Sequence, residues 1–498
     1  MPKNSKNSEQ TENQPQAPLM LGVSGMRGIT GRSLTPEVAL RYAAAYGTFL
    51  KGQNPAPHVL IARDGRRGGE AVYEAAVAGL LGSGCSVTRL GVASTPTIGF
   101  AAMGEVGGAV IVTASHNPQE WNGLKLLIAG TAGNGETEFD FACAPPADLA
   151  HQIIEQYQAG PEWVDASCFT SLQDESDAAT QHWVNVSILV LHQMPDEVFQ
   201  QHDREGTIGL RCVLDAVNSS GALVGMPFLD YLADVIPLNC SPSGVFPHTP
   251  EPTRENLSGK GGLCTVVPGV EADVGFAQDP DADRLAIVDE TGRYIGEEYT
   301  LVLSALALLE AEEDTNDAIL VTNLSTSRMI DDLAERFGAR VERTPVGEAH
   351  VVGRMLELLA DDKNVVLGGE GNGGVIWPAV SFVRDSVVAM GLTLALMARH
   401  GKPLSEIVDS LPSYAIVKRK QDIPNKEAAK PAIDAVTKAF EGPGRVDLQD
   451  GVRIDLDDQK AWLSVRASNT EPIVRLIAEA PDEEAANALL DEVQKLLA

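Results

Sequence analysis

Ala272-Asp273-Val274-Gly275-Phe276-Ala277-Gln278 runs directly into Asp279-Pro280-Asp281-Ala282-Asp283-Arg284. A short, largely apolar run ending in three carboxylates at alternate positions is the pattern of a buried strand that delivers acidic side chains to a turn. Alternate spacing lets three hard oxygen donors face one cation, as Mg²⁺ prefers, so Asp279, Asp281 and Asp283 form a candidate metal site. A calcium-binding EF-hand loop is the rival, because Glu290 falls at its twelfth position. It fails because Arg284 stands where the sharp turn needs glycine, and because Leu285 to Asp289 reads as a strand where an exiting helix is required. A solvated acidic turn is the remaining alternative.

Outward from this stretch, one order of elements occurs three times. Arg211 to Asp215, a Ser/Gly loop and a helix near Leu223 to Leu232 precede the strand at Ala272 to Phe276. Upstream come His58 to Arg63, a helix over Glu70 to Leu81, Val87 to Val92, and Gly108 to Val112 leading into Thr113. Downstream come Ala318 to Thr322, a helix near Ser327 to Phe337, Val341 to Thr344, and Val365 to Leu367 leading into Gly368. The pattern predicts three related α/β domains, each with a loop beyond a strand's carboxyl end, where open α/β sheets bind ligands. From about Ser413 the character changes: Arg453 to Leu456, Ala461 to Val465 and Ile473 to Ala478 read as strands, and Glu483 to Leu497 as an amphipathic helix, hence a C-terminal α+β domain. The expected division is a disordered tail over 1–18 and domains over 19–175, 176–294, 295–410 and 411–498.

Composition bounds the function. A chain of 498 residues, 44% hydrophobic, is too long for one core. A formal charge of −31 and a pI near 4.6 exclude nucleic acid and anionic membrane surfaces as partners, yet permit a phosphorylated metabolite if the few cations converge on one cleft. Six cysteines without a C-x-x-C pair read as reduced thiols. With no apolar signal region and no run long enough to span a bilayer, the cytoplasm is the expected location.

Three further loops carry chemistry. Thr113-Ala114-Ser115-His116-Asn117-Pro118 follows a strand and precedes Asn122-Gly123-Leu124-Lys125, placing the Ser115 hydroxyl where it can act as nucleophile or phosphoryl carrier. An ordinary Ser-Asn-Pro turn is the alternative, and no G-x-S-x-G elbow supports a serine hydrolase. In Gly368-Gly369-Glu370-Gly371-Asn372-Gly373-Gly374, glycines allow close backbone approach while Glu370 and Asn372 can accept from and donate to vicinal hydroxyls. Arg466-Ala467-Ser468-Asn469-Thr470-Glu471-Pro472 has the composition of a phosphate cradle, with Arg466, Ser468, Asn469 and Thr470 as ligands and Arg475 as a second cation. A polar hairpin turn would use the same residues.

Together these loops resemble the α-D-phosphohexomutases, which include phosphoglucomutase, phosphomannomutase and phosphoglucosamine mutase. The likeness spans about Leu21 to Ala480, one signature loop per domain and in order, and Ser24-Gly25-Met26-Arg27-Gly28 also matches. It implies a four-domain mutase that interconverts hexose 1-phosphate and hexose 6-phosphate through a phosphorylated Ser115 and a 1,6-bisphosphate intermediate. One Mg²⁺ would be held by the Ser115 phosphate and the three aspartates, with hexose 1,6-bisphosphate as activator. The same likeness implies catalytic roles for Arg27 and His116, an acid/base role for Lys125, a positioning role for Arg284, and substrate contacts from Thr344, Gly347 and Glu348. Several members carry histidine where this chain has Glu348 and Gly374, so a proton-transfer role is left unassigned. The Val346-Gly347-Glu348 form is nearer the phosphoglucosamine mutases, where an acidic residue could attract an amino group. A metal-dependent phosphatase or a non-catalytic sugar-phosphate binder are the readings from other classes.

Overall fold

Aliphatic runs such as Val59–Ala62 and Gly108–Val112 are buried along their length, which suits strands covered on both faces. The computed structural model describes residues 17–467 and 472–497 apart from 105, 136, 169, 313, 441 and 443; the expected tail, save for Ala17 and Pro18, lies outside the described residues. In the first sheet the strands are β1 (Leu19–Gly22), β2 (Gly25–Ile29), β3 (His58–Arg63), β4 (Ser86–Val92), β5 (Gly108–Val112), β6 (Trp121–Gly133), β7 (Glu138–Cys143) and β8 (Leu172–Asp174). Their order is β1-β2-β6-β5-β3-β4-β8, with β7 paired to β6. The second sheet has β9 (Arg211–Asp215), β10 (Asp234–Leu238), β11 (Val274–Gln278) and β12 (Leu285–Asp289) in the order β10-β9-β11-β12. The third has β13 (Ile319–Asn323), β14 (Arg340–Thr344), β15 (Val365–Glu370) and β16 (Gly374–Ile376) in the order β14-β13-β15-β16.

The repeat is one topology used three times. In each repeat the first strand (β3, β9 or β13) pairs in parallel with the second (β4, β10 or β14) and the third (β5, β11 or β15), and the third turns back into an antiparallel fourth (β6, β12 or β16). The Ser115 loop joins β5 to β6, the aspartate loop joins β11 to β12, and the Glu370 loop joins β15 to β16. The three chemical loops are therefore the same hairpin in three related sheets. The C-terminal unit is an antiparallel sheet of β17 (Ala415–Asp422), β18 (Arg445–Asp447), β19 (Val452–Leu456), β20 (Ala461–Ala467) and β21 (Ile473–Ala480), ordered β17-β21-β20-β19-β18. Helices Ala429–Phe440 and Glu483–Leu497 share its core.

Two edges differ from expectation for local reasons. β11 starts two residues late because Glu271 takes a left-handed turn (φ 54) and the Asp273 carboxylate accepts from Arg211 N at 2.7 Å. β15 continues through Gly368 and Gly369, which pair with Ile376 and Val375 instead of forming loop. Gly368 lies under a helix, where an added Cβ would come within 2.3 Å of Met355 Sδ. β6, like β1, β2, β7, β8, β10, β16, β17 and β18, has no counterpart among the strands the sequence reading placed.

The second and third sheets share one apolar core extending from Val186 to Leu411. Helix Ser386–His400, buried from Ser386 to Met397, joins them. At Gly391 a Cβ would lie 2.5 Å from Val190, so glycine lets this helix seat against helix Ala178–Leu191. Each fully buried Leu or Val there contributes about 1.5–3 kcal/mol, which makes the pair of sheets a stiff base for their loops. Among the described residues all six cysteines are unpaired, and no helix is long and apolar enough to cross a membrane.

Candidate active site

Ser115 sits in the left-handed region (φ 47), a conformation a non-glycine residue keeps only when its surroundings enforce it. Those surroundings begin with the Asp64–Arg66 pair, buried completely and 2.9 Å apart. Arg66 donates to Ser115 O and Trp121 O, each at 2.5 Å, and to Pro118 O at 3.2 Å. Asp64 accepts from Thr113 Oγ1 at 2.7 Å, and that hydroxyl accepts from Ser115 N at 2.8 Å. Arg27 donates to Asn117 Oδ1 at 2.8 Å, fixing the far side of the loop.

So held, the Ser115 hydroxyl donates to Asp279 Oδ2 at 2.6 Å and lies 3.3 Å from His116 Nδ1. Burial, together with Arg284 and Arg27, lowers the His116 pKa to about 3, so its ring is neutral. The aspartate loop folds on itself: Asp279 Oδ1 accepts from the N–H groups of Asp283 and Arg284 at 3.1 and 3.2 Å. Ser219 and Ser220 donate to Pro280 O, and Thr95 of the first sheet's Thr95–Ala101 helix donates to Asp281 Oδ2 at 2.6 Å. The three carboxylates place ligand atoms within 4.8 Å of one another. Asp281 Oδ1 and Asp283 Oδ1 are buried without a hydrogen-bond partner among the described residues. Buried carboxylate oxygens left in that state are costly unless a cation takes them, so the site fits a divalent metal. Burial and then the neighbouring carboxylates push Asp279 and Asp281 above the usual carboxylate range, which is the repulsion a bound cation relieves.

Lys125, on β6, reaches Asp283 Oδ2 at 3.1 Å and Glu348 Oε2 at 3.2 Å. Burial opposes the charge on Lys125, but Glu348 and Asp283 outweigh it and raise its pKa. Glu348 opens helix Glu348–Ala360 beside Gly347 (φ 132). Arg284 lies 4.0 Å from Asp283. These groups, with Ser115, Arg27, Glu370 and Asn372, line a chamber of about 170 Å³.

Glu370 and Asn372 also line an adjoining cleft of about 600 Å³ that extends to the C-terminal sheet. There Arg466, Arg475 and Lys420 stand at paired positions across β20, β21 and β17, and Lys418 joins them. Asp450 holds Arg466 at 2.9 Å. Ser468, Asn469 and Thr470 lie outside the described residues. Thr344 does not line the chamber, and its hydroxyl donates to Pro345 O at 3.0 Å.

Sequence reasoning missed four contributors. Asp64 and Arg66 support the Ser115 loop, Lys420 extends the cation row, and Arg384 binds Asp283, Glu370 and Glu348. Only Lys420 had a local signal, the cationic run Lys418-Arg419-Lys420, and it lies on β17, a strand the sequence reading did not place. Arg384 precedes Asp385, whose carboxylate caps helix Ser386–His400 by accepting from Val387 N at 2.8 Å.

The chain matches four descriptions of the phosphoglucomutase/phosphomannomutase family: α/β/α domain I over residues 18–139, domain II over 185–292, domain III over 296–414, and the C-terminal domain over 417–496. It is 36% identical to a phosphoglucomutase/phosphomannomutase of Thermococcus kodakarensis, covering 96% of this chain and 98% of that one. It is 35% identical to a probable phosphoglucosamine mutase of Methanopyrus kandleri, covering 95% and 96%. Its fold is similar to the crystal structure of a phosphoglucomutase/phosphomannomutase family protein from Burkholderia thailandensis, with a TM-score of 0.77 at 23% identity over 96% of this chain and 98% of that one.

Proposed function

Since this chain belongs to the phosphoglucomutase/phosphomannomutase family and is a phosphohexomutase, an intramolecular phosphotransferase of the isomerase class, we propose that it acts through phosphorylated Ser115 with glucosamine phosphate as preferred substrate. The observation that carries this reading is the Ser115 hydroxyl 2.6 Å from Asp279, in a chamber that adjoins a cleft lined by a row of cations. Asp279, Asp281 and Asp283, with the Ser115 phosphate, would hold a magnesium ion, which would neutralise charge on the transferring group.

The chain's own groups do the rest. Arg466, Arg475 and Lys420, with Ser468, Asn469 and Thr470, hold the phosphate that is not reacting. Glu370 and Asn372 hold sugar hydroxyls, Gly347 and Glu348 border the sugar, and Lys125, kept protonated by Glu348 and Asp283, is the acid beside the phosphoserine. Arg27 and Arg284 steady the transferring group, and His116, with a ring nitrogen 3.3 Å from the Ser115 hydroxyl, borders it. The product of the first transfer is a 1,6-bisphosphate, which must turn over so that its other phosphate returns to Ser115; added hexose 1,6-bisphosphate would act as activator by charging the serine. The preference for glucosamine rests on Glu348 at the chamber wall and on the likeness to phosphoglucosamine mutases.

A coupled assay across glucosamine, glucose, mannose and N-acetylglucosamine phosphates tests the reading. Interconversion fastest with glucosamine phosphate is expected. Activity on none of the four sinks the reading, and equal or higher kcat/KM with mannose or glucose sinks the sugar preference.

Arg466→Ala separates mutase from phosphatase. The cation row must grip first one phosphate and then the other, so removing a charge-assisted hydrogen bond worth about 1.5–3 kcal/mol should lower kcat/KM roughly 10–150-fold. Hexose 1,6-bisphosphate should escape during turnover, as product analysis would show. Normal efficiency with no bisphosphate released would remove Arg466 from this role.

A further inference from the structure

We propose that Arg384 is a positioning residue for phosphoryl transfer, one that ties the metal loop to the sugar-facing loops and occupies the space left open at Gly374. The inference rests on the mutase reading above. Arg384 is only 8% exposed, and its guanidinium serves carboxylates from three separate segments. It reaches Asp283 Oδ2 at 2.5 Å, Glu370 Oε2 at 3.0 Å and Glu348 Oε2 at 3.4 Å, while its backbone N–H donates to Glu348 Oε1 at 3.3 Å. Lys125 bridges only Asp283 and Glu348, so without Arg384 the Glu370 carboxylate would face the other two with no cation shared between them.

Gly374 supplies an independent observation. Its φ is not in the left-handed region, so its backbone does not call for glycine. A Cβ at that position would instead lie 2.2 Å from Arg384 Cδ and 3.0 Å from Cγ, with Asn372 Oδ1 next at 3.1 Å. Glycine is there because the arginine stem passes through the space of a side chain.

The two oxygens of Asp283 show what the arrangement does. Oδ2 is taken by Arg384 and by Lys125, whereas Oδ1 has no hydrogen-bond partner among the described residues and only Arg284 at 4.0 Å. The guanidinium, together with the Lys125 ammonium, holds Oδ2 and so leaves Oδ1 as the oxygen that a cation would take. Its other branch fixes Glu370, whose second oxygen accepts from Asn323 Nδ2 at 2.8 Å, so the carboxylate that would meet the sugar is set from both ends. A lysine could keep the charge but not the planar fork that spans Asp283 and Glu370 together.

The test uses Arg384→Met, Arg384→Lys and Gly374→Ala, each alone and combined with Ser115→Ala. Calorimetry in the Ser115→Ala background measures binding of glucosamine 6-phosphate and, separately, of Mg²⁺ alone; thermal melts accompany both. Arg384→Met should weaken glucosamine 6-phosphate binding about tenfold or more and weaken Mg²⁺ binding as well. Gly374→Ala, which displaces an intact arginine, should shift both in the same direction. Arg384→Lys should restore part of the Mg²⁺ affinity but little of the sugar-phosphate affinity. Gly374→Ala added to Arg384→Met should cost clearly less than the sum of the two, because the severe clash is with the arginine stem and only the closer approach to Asn372 remains without it. Unchanged binding of both probes, with or without a lower Tm, overturns the proposal, as does full additivity. If Arg384→Met does not fold, Gly374→Ala and Arg384→Lys decide the matter by the same readouts. Failure of the underlying mutase reading would show separately, as wild-type turnover in Ser115→Ala.

Discussion

Ser115→Ala is expected to lower turnover by on the order of 10⁴-fold or more while binding of glucosamine 6-phosphate stays within a few-fold of wild type. The hydroxyl is the group that would accept and return the phosphoryl, and the nearest alternative is already committed. Thr113 Oγ1 donates to Asp64 and accepts from Ser115 N, so it faces the loop's support and not the aspartates. Substrate binding should survive because the cation row and the Glu370 loop belong to other sheets. The fold should survive too. Alanine meets the same backbone restriction at φ 47 as serine, and the substitution removes one strong hydrogen bond, that to Asp279, worth at most about 1.5–3 kcal/mol. A coupled assay paired with calorimetry checks both halves. A variant with the wild-type rate removes Ser115 from the chemistry, and one that fails to bind as well shows that the hydroxyl's role is structural.

Arg66→Met should be the most damaging single change to the support of this loop. Its guanidinium, fully buried, pairs with Asp64, donates to the carbonyls of Ser115, Pro118 and Trp121, and lies 5.2 Å from the Phe246 ring centre. Methionine fills similar volume but leaves a buried carboxylate and several carbonyls without their donor. Breaking one side of a buried pair costs about 3–5 kcal/mol, which urea unfolding would read as a lower midpoint at unchanged slope. Ser115 would also be deprived of the donor that holds its carbonyl in a left-handed turn, and misplacement by about 1 Å can cost roughly 10²-fold in rate. The double variant Asp64→Asn/Arg66→Met should regain part of the stability, because the stranded charge is gone, but not the rate. A midpoint equal to wild type would mean that the pair does not hold the loop.

The repeat and its chemical loops were legible because their signals are local. A strand shows itself by consecutive apolar residues, and the alternate carboxylates of Asp279 to Asp283 are neighbours in the chain before they are neighbours in space. The same locality set the errors. The start of β11 was misplaced because Glu271 turns left-handed, and Gly368 and Gly369 looked like loop because their reason for being glycine is the close packing of Met355 on the first and of Leu301 on the second. β6 escaped because a strand buried on both faces in its first half, and rich in glycine, lacks the alternation that marks a half-exposed one.

By itself, then, the sequence determined the three related sheets, the loop that ends each of their third strands, and the acidic, hydroxyl and cationic residues those loops carry. The tertiary structure alone decided how they meet. Ser115 and Asp279 are 164 residues apart, Arg384 and Asp283 are 101 apart, and nothing near either arginine in the chain distinguishes Arg66 or Arg384 from a solvated surface cation. Their burial follows from strand register, from the seating of helix Ser386–His400 against helix Ala178–Leu191, and from the space left at Gly374. Ion pairs over such separations depend on the packing of whole elements, and that packing is written in many residues at once and in no short motif.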